Sequence, residues 1–242
     1  MIKRVLGGLV ALGLAVTAAP AIEMTMKYEP GERYLNFVTG AVQGDLGRSL
    51  AFNFEVSEEI KRRFPATALL ALTALAIAMT LGIALGVIAA IYQSRWQDGF
   101  TMVISLIGIS FPIFALAVFL QLLFCLLLPW FYVTGYVDRS WSCLVLPAVA
   151  LATRPLAVIT RLMRSSMIET MRSPYIMTAR AKGLSRAAVL AKHAFKNALN
   201  PVLTAVSGSL AELLAGAFFI EMIFSWPGIG KLGFDAVIKS DP

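Results

Sequence analysis

The residues of this chain that could do chemistry are few and lie far apart. The only histidine, His193, is not paired with any evident serine, so it lacks the partner that a nucleophile and base arrangement requires. The two cysteines, Cys125 and Cys143, match neither a metal-ligand spacing nor a disulfide framework, and we interpret them as small packing residues. No G-x-x-x-x-G-K-[ST] phosphate-binding loop occurs. These features argue against an enzyme and predict no nucleotide, metal or other cofactor bound by this chain.

Two ionisable residues stand out because they lie inside long apolar segments. Glu212 follows Pro201 by eleven residues, about 16 Å along a helix, which is close to the midplane of a bilayer. One interpretation is that Glu212 lines a water-filled path and contacts a cationic group, such as a peptide amino terminus or a metal ion. The other is an ion pair or hydrogen bond between helices, for which Arg154 could supply the partner. A protonated, inert carboxyl is the third.

The composition indicates which elements must position these residues. The chain is 58% hydrophobic and 14% charged, and its mean hydropathy is +0.77. These values are typical of an integral membrane protein, so we predict an all-α, polytopic bundle of transmembrane helices. The net charge of +7 comes from cations beside the apolar segments, which favours a role in topology and lipid contact over nucleic-acid binding.

Apolar runs long enough to cross a bilayer define the predicted spans. Four of them lie at Ala66–Tyr92, Phe100–Leu128, Leu144–Ile159 and Val202–Phe224. The third is short and contains Pro147, Arg154 and Pro155, which predicts a kinked helix with a polar face turned away from lipid. A fifth candidate, Val5–Ile22, is interpreted as a retained helix, with a signal peptide as the alternative.

Lysine and arginine residues predict the orientation, because cytoplasmic connections carry an excess of them. The segment 161–196 holds eight: Arg161, Arg164, Arg172, Arg180, Lys182, Arg186, Lys192 and Lys196. We therefore expect this segment in the cytoplasm, the N-terminus inside and residues 23–65 outside. Five spans would leave the end of the sequence outside, so we expect a truncated chain that lacks a sixth span.

Small residues recur at every fourth position of the predicted span Ala66–Tyr92. They are Ala74, Ala78, Gly82, Gly86 and Ala90. Such a stripe lies on one face of a helix and predicts close approach of another helix backbone.

The basic stretch 173–201 contains local signals for two short helices. Ser173 and Pro174 predict a helix start, and Gly183 predicts a left-handed residue that ends the helix. Ser185 can cap a second helix, with Leu184 placed to contact Val189. Asn200-Pro201 is expected to end that helix before the last span. From the residues alone, an interfacial helix on anionic lipid and a docking element for a soluble partner are both open.

The sequence "YIMTARAKGLSRAAVLAKHAFKNALNPVLT" resembles the cytoplasmic signature of binding-protein-dependent ABC importer permeases, in the dipeptide, oligopeptide and nickel branch. Three further segments resemble the same branch in order: "GDLGRSL", "LPAVALATRPLAVITRLMRSSMIE" and "LLAGAFFIEMIFSWPGIGKLGFDAVIKSDP". Together they cover about residues 34 to 242. The wider superfamily has Glu-Ala-Ala where this chain has Met177, Thr178 and Ala179, so only the last alanine and the following Gly183 are kept.

The resemblance implies a permease subunit that moves peptides across the bacterial inner membrane by alternating access. It implies a second homologous permease, two cytoplasmic ATPase subunits that bind ATP and magnesium, and an external solute-binding protein. The residues it implicates in ATPase coupling are Tyr175, Thr178, Ala179, Arg180, Ala181, Lys182, Gly183 and Leu184. The residues of the extracytoplasmic motif are Gly44, Asp45, Gly47 and Ser49.

The expected organisation has two parts. Residues 1–65 would hold the N-terminal helix and an extracytoplasmic loop, and residues 66–242 would form the transmembrane domain with a cytoplasmic coupling insert at 161–200. An importer of nickel or another small solute is the alternative within the family. A membrane-embedded enzyme or a non-transport scaffold is the alternative from another class.

Overall fold

The computed structural model describes residues 30–49, 53–131 and 141–239, and it is helical over nearly all of them. The helices are α1 (Pro30–Val42), α2 (Val56–Ile91), α3 (Trp96–Ser110), α4 (Ile113–Gln121), α5 (Trp141–Met171), α6 (Pro174–Ala181), α7 (Arg186–Ala188), α8 (Phe195–Ile223) and α9 (Ile229–Ile238), with π-helical turns π1 (Leu122–Leu127) and π2 (Val189–Ala194). The predicted helix at Val5–Ile22 lies outside the described residues.

The chain divides into two compact units. The first comprises Met1–Arg62 with Asp235–Pro242, and its described part contains α1 and a turn that ends in an isolated bridge between Arg48 and Glu55. The second, Arg63–Phe234, contains the apolar helices. Its start lies three residues before the boundary that we expected at residue 66.

Three continuous helical segments are long and apolar enough to cross a membrane: Val56–Ile91, Ser142–Met171 and Arg186–Ile223. The pair α3 and α4 passes the same test together but bends by 103°. We expected one span at Phe100–Leu128, without a break. The helix breaks there because Pro112 has no N–H, and Phe111 before it takes an extended conformation with φ −78° and ψ 130°.

Helix α5 lies at the centre of the second unit and packs against α8, α3 and α4. It runs for 31 residues through both Pro147 and Pro155, whereas the predicted span covered only Leu144–Ile159. The extra turns are polar, but they contact other parts of the chain. Met163 and Met167 are buried in the core, and Ser166 donates to the Ala198 carbonyl of α8 (3.0 Å).

The stripe of small residues on α2 is buried, as predicted from its spacing. It faces α5. A Cβ on Gly82 would lie 2.9 Å from Ile159 Cγ2, and one on Gly86 would lie 2.7 Å from the Thr160 carbonyl oxygen. The two backbones are therefore too close to accept a side chain between them at these positions.

The expectation that Asn200-Pro201 ends a helix was wrong. Helix α8 continues through Pro201. Proline removes one backbone hydrogen bond and loosens the turn before it. The Ala198 carbonyl, in that turn, accepts the hydroxyl of Ser166 from α5, and this contact helps a membrane helix to tolerate an internal proline.

Candidate functional site

A cavity of about 420 Å³ lies where the broken pair α3 and α4 meets α5 and α8. The lining residues come from the break (Gly108, Ile109, Ser110, Phe111, Pro112, Ile113, Leu116), from α5 (Ala150, Leu151, Thr153, Arg154, Pro155) and from α8 (Ser209, Glu212, Leu213, Ala215, Gly216, Phe219). Most are apolar. The exceptions include one cation and one anion, which are the two residues that the sequence singled out.

Arg154 of α5 and Glu212 of α8 form an ion pair in this cavity, with Arg154 Nε 2.9 Å from Glu212 Oε1. Arg154 lies thirteen residues, about 20 Å, from the start of α5, and Glu212 lies seventeen residues, about 26 Å, from the start of α8. Both are therefore central in helices that can span the membrane. The interhelical pair that we kept open as an interpretation is present.

The side chains of this pair remain 62% and 51% exposed within the chain. A charge that faced lipid at this depth would cost about 2.5–3.5 kcal/mol, so the exposed portions must face water or another subunit. The cavity beside them provides space for water.

A second ion pair, between Asp98 and Arg164, is much less exposed than the pair of Arg154 and Glu212. Arg164 Nε donates to Asp98 Oδ1 (2.5 Å) and Nη2 donates to Oδ2 (2.7 Å), which is a two-pronged contact. The backbone N–H of Ser94 also donates to Asp98 Oδ2 (3.0 Å). The side chains are 26% and 7% exposed for Arg164 and Asp98, so the pair is largely shielded from solvent. It fixes the first turn of α3 to α5.

The predicted corner at Gly183 is present. Gly183 has φ +80°, in the left-handed region that favours glycine. The N–H of Gly183 donates to the Arg180 carbonyl (2.9 Å) and that of Leu184 donates to the Ala179 carbonyl (3.4 Å), which together form a Schellman motif. Ser173 occupies the N-cap position of α6, but its hydroxyl donates to the Thr170 carbonyl instead of capping the helix.

Helix α6 has one buried face and one exposed face. Ile176 and Ala179, three residues apart, are buried against the chain, and α6 packs on π2. Asn197 Nδ2 of α8 donates to Tyr175 Oη (2.7 Å). The other residues that the resemblance implicated in ATPase coupling are exposed: Tyr175, Thr178, Arg180, Ala181, Lys182, Gly183 and Leu184. Only Ala179 among them faces inward.

The second half of the insert joins α6 directly to a membrane helix. Ser185 caps α7 as predicted, because its hydroxyl oxygen accepts the N–H of Ala188 (3.3 Å). The chain then continues through π2 into α8 without a break. An apolar cavity of about 260 Å³, lined in part by Val87, Met167 and Leu190, adjoins this π-helical turn. Helix is therefore continuous from Arg186 in the insert to Ile223 at the end of α8.

The turn after α8 is built around a fully buried carboxylate, Glu221. The hydroxyl of Thr67 donates to Glu221 Oε1 (2.5 Å), and the N–H of Lys231 donates to Oε2 (3.1 Å). A Cβ on Gly228 would overlap the Glu221 carboxylate. This arrangement closes the turn onto α2, so Glu221 has a structural role.

In the first unit, the motif Gly44, Asp45, Gly47 and Ser49 forms a tight turn after α1. Gly44 and Gly47 have φ +85° and +78°, which explains why glycine occupies both positions. Asp45 Oδ1 accepts the N–H of Gly47 (2.9 Å), and Ser49 is buried. The turn places Asp45, Arg48 and Glu55 around a shallow cavity of about 540 Å³.

Comparison with known proteins decides the family. The model of the family described as "Binding-protein-dependent transport system inner membrane component" matches residues 82–242. The chain belongs to this family. The match includes the cavity, both ion pairs and the basic insert, so these features lie within the region that defines an inner-membrane transport component.

Three relatives show how far the similarity extends. The di/tripeptide transport system permease protein DppB of Pseudomonas aeruginosa is 42% identical over 87% of this chain and 70% of its own length. The dipeptide transport system permease protein DppB of Alkalihalophilus pseudofirmus is 39% identical over 86% of this chain and 71% of its own length. The glutathione transport system permease protein GsiC of Shigella flexneri is 38% identical over 86% and 68%.

Membership in the family fixes the broad function. The chain is a multi-pass transport component of the inner membrane and not an enzyme. A binding-protein-dependent system also contains an ATPase and a solute-binding protein, and these are partners of the chain.

Sequence reasoning missed the structural role of Asp98, Thr67 and Gly228. Asp98 had a usable signal, because it is the only acidic residue in the short turn between the first two of the four predicted spans.

Proposed function

We propose that the chain is the permease subunit of an ATP-driven importer that moves small peptides across the bacterial inner membrane by alternating access. The observation that carries the proposal is the similarity, over 86–87% of this chain, to permeases named for di/tripeptide, dipeptide and glutathione transport. All three names specify small peptides. They favour a peptide importer over the nickel alternative.

The exposed face of α6 supports a specific contact through which ATP hydrolysis would drive transport. The importer would contain a second, homologous permease and two ATPase subunits that bind ATP and magnesium. Each ATPase subunit would receive a basic insert in a surface groove, contacting Tyr175, Arg180 and Lys182, which are exposed in this chain. Closure of the ATPases would move α6, and the uninterrupted path through π2 into α8 would carry that movement to the cavity.

The first unit supports a role for its turn on the external side. The motif at Gly44, Asp45 and Gly47 would contact the solute-binding protein when it delivers its peptide, since the Lys and Arg count places residues 23–65 outside. Lipid would contact the exposed apolar faces of the spans.

Uptake by the reconstituted importer tests the function. Proteoliposomes that contain this permease, its partner permease and the ATPase subunits should accumulate radiolabelled dialanine when the solute-binding protein is outside and ATP inside. Omission of ATP or of the solute-binding protein should abolish accumulation. If the complete importer accumulates nickel or another solute but no di- or tripeptide, the proposed substrate class is wrong.

A further inference from the structure

We infer that the cavity between α4, α5 and α8 is a subsite for zwitterionic peptides, in which Arg154 binds the peptide carboxylate and Glu212 binds its amino group. The inference rests on the proposed function and specifies which chemical groups of the substrate the permease itself contacts. It treats the ion pair as the resting arrangement of two groups that separate when a peptide enters.

The comparison of the two ion pairs on α5 supports this. Arg164 and Asp98 make a two-pronged contact in a shielded site, with an additional backbone N–H on the carboxylate. Arg154 Nε lies 2.9 Å from Glu212 Oε1, and more than half of each side chain is exposed. The first pair is arranged to stay closed. The second leaves guanidinium and carboxylate atoms accessible to a ligand that carries the complementary charges.

The cavity has the size and wall chemistry for this ligand. Its volume of about 420 Å³ lies within the range of small-molecule pockets. Apolar side chains such as Ile113, Leu213 and Phe219 form most of the lining. They do not select for a particular peptide side chain. Charges at the peptide ends are then the groups that all substrates share, and Arg154 and Glu212 are the charged residues of the lining.

The helix break adds a polar group. The carbonyl of Gly108 would normally accept the N–H four residues later, but that residue is Pro112, which has none. Both residues line the cavity. Without that N–H, the Gly108 carbonyl would accept a peptide N–H or amino group in the cavity, next to the point where the two helices bend by 103°.

Equilibrium binding to the purified complex of permeases and ATPases, without the solute-binding protein, tests the inference. The probes are tritiated dialanine with both ends free, its N-acetyl derivative and its C-terminal amide. Wild-type complex should bind free dialanine at least tenfold more tightly than either blocked form. Absence of measurable dialanine binding at millimolar concentration would overturn the inference.

Neutralising the two charges one at a time should give opposite signatures. Glu212→Gln should weaken binding of free dialanine and of the amide at least tenfold, but leave the N-acetyl form unchanged. Arg154→Gln should weaken binding of free dialanine and of the N-acetyl form, but leave the amide unchanged. Glu58→Gln, an equal change of charge at an exposed position of α2 outside the cavity, should alter none of the three. Equal losses for all three probes, or none, would mean that the pair only joins two helices.

A variant that keeps both charges covers the case in which the Gln variants fail to assemble. A Cβ on Gly216 would make ordinary contacts with Leu151 (3.4 Å) and Ile113 (3.9 Å), so the ring of Gly216→Phe would occupy the cavity. It should abolish binding of all three probes, whereas Gly208→Phe, at a position on α8 outside the cavity, should not. Unchanged binding in Gly216→Phe would place the peptide elsewhere.

Uptake and binding measured on the same wild-type proteins distinguish a failure of the subsite from a failure of the proposed function. If the wild-type importer accumulates dialanine but the binding signatures are absent, the subsite is wrong and the proposed function stands. If it accumulates no peptide at all, the proposed function fails.

Discussion

Two arginines on the same helix show how local surroundings assign different tasks to one residue type. Arg164 lies ten residues after Arg154 on α5. Arg164 is shielded and makes two hydrogen bonds to one carboxylate, whereas Arg154 is exposed and borders a cavity. The first arrangement suits a permanent link between helices, and the second suits exchange of partners during transport.

We expect Asp98→Asn to lower the stability of the permease. Loss of the carboxylate would leave the Arg164 charge shielded from water and unpaired, which typically costs about 3–5 kcal/mol for a buried pair. The measurement is the midpoint of thermal unfolding in detergent. Arg164→Gln should also lower the midpoint, and the double variant should lose less than the sum of the two single variants because the residues are in contact.

Arg62→Gln is the matched control for these variants. Arg62 also forms an ion pair, with Glu59 at 3.1 Å, but its side chain is 76% exposed. The Glu59 side chain is only 8% exposed, but it has a further contact besides Arg62. Because water screens a guanidinium that is this exposed, the midpoint should fall less than in Asp98→Asn. Additive losses in the double variant at Asp98 and Arg164 would contradict the direct link.

Among the helix contacts, that between α2 and α5 leaves no room for a side chain at the glycines of the small-residue stripe. A methyl group on Gly86 would lie 2.6 Å from Met163 Cβ and 2.7 Å from the Thr160 carbonyl oxygen. Backbone cannot move aside without separating the two helices. Gly86→Ala should therefore cost about 1–3 kcal/mol, the usual range for an overpacked core, and lower the unfolding midpoint.

Gly99→Ala adds the same methyl group in helix α3, where no atom lies within 4 Å of the new carbon. It should leave the midpoint unchanged or raise it, since alanine is the better helix former. A midpoint for Gly86→Ala that equals that of Gly99→Ala would show that α2 and α5 do not pack as described.

The elements differ in how well the sequence predicted them. Long apolar runs and local signals such as Gly183 and Ser185 depend on neighbouring residues, so the presence of three continuous spans after residue 65 and the corner of the insert were predicted, although α5 is longer than the predicted span. The break at Phe111-Pro112 had a local signal too, but the continuous apolar run concealed it. Asp98 had a local signal, but its partner did not. The passage of α8 through Pro201 and the choice of Arg164 as that partner could not be predicted, because they depend on contacts between residues 32 and 66 positions apart.

In the whole molecule, the proposed mechanism has the insert connect the ATPase to the cavity between the helices. Its outer helix, α6, exposes a basic face, and the chain beyond Gly183 is continuous with α8, which carries Glu212. This connectivity allows one conformational change to alter both the docking surface and the cavity. The left-handed corner at Gly183 sets the direction of α6 relative to π2.

ATP-driven uptake by Gly183→Val is the decisive measurement of whether the insert couples ATP hydrolysis to transport. A β-branched residue is disfavoured at φ +80° by about 1–2 kcal/mol, so valine should redirect α6 without altering the spans. Gly183→Asn is the matched control, because asparagine accepts the left-handed conformation. We expect the valine variant to insert normally, to lose at least tenfold in dialanine uptake and to bind the ATPase more weakly, while the asparagine variant keeps most of its uptake. Wild-type uptake by Gly183→Val, with intact ATPase association, would show that the insert is an interfacial anchor and not the element that couples ATP hydrolysis to transport.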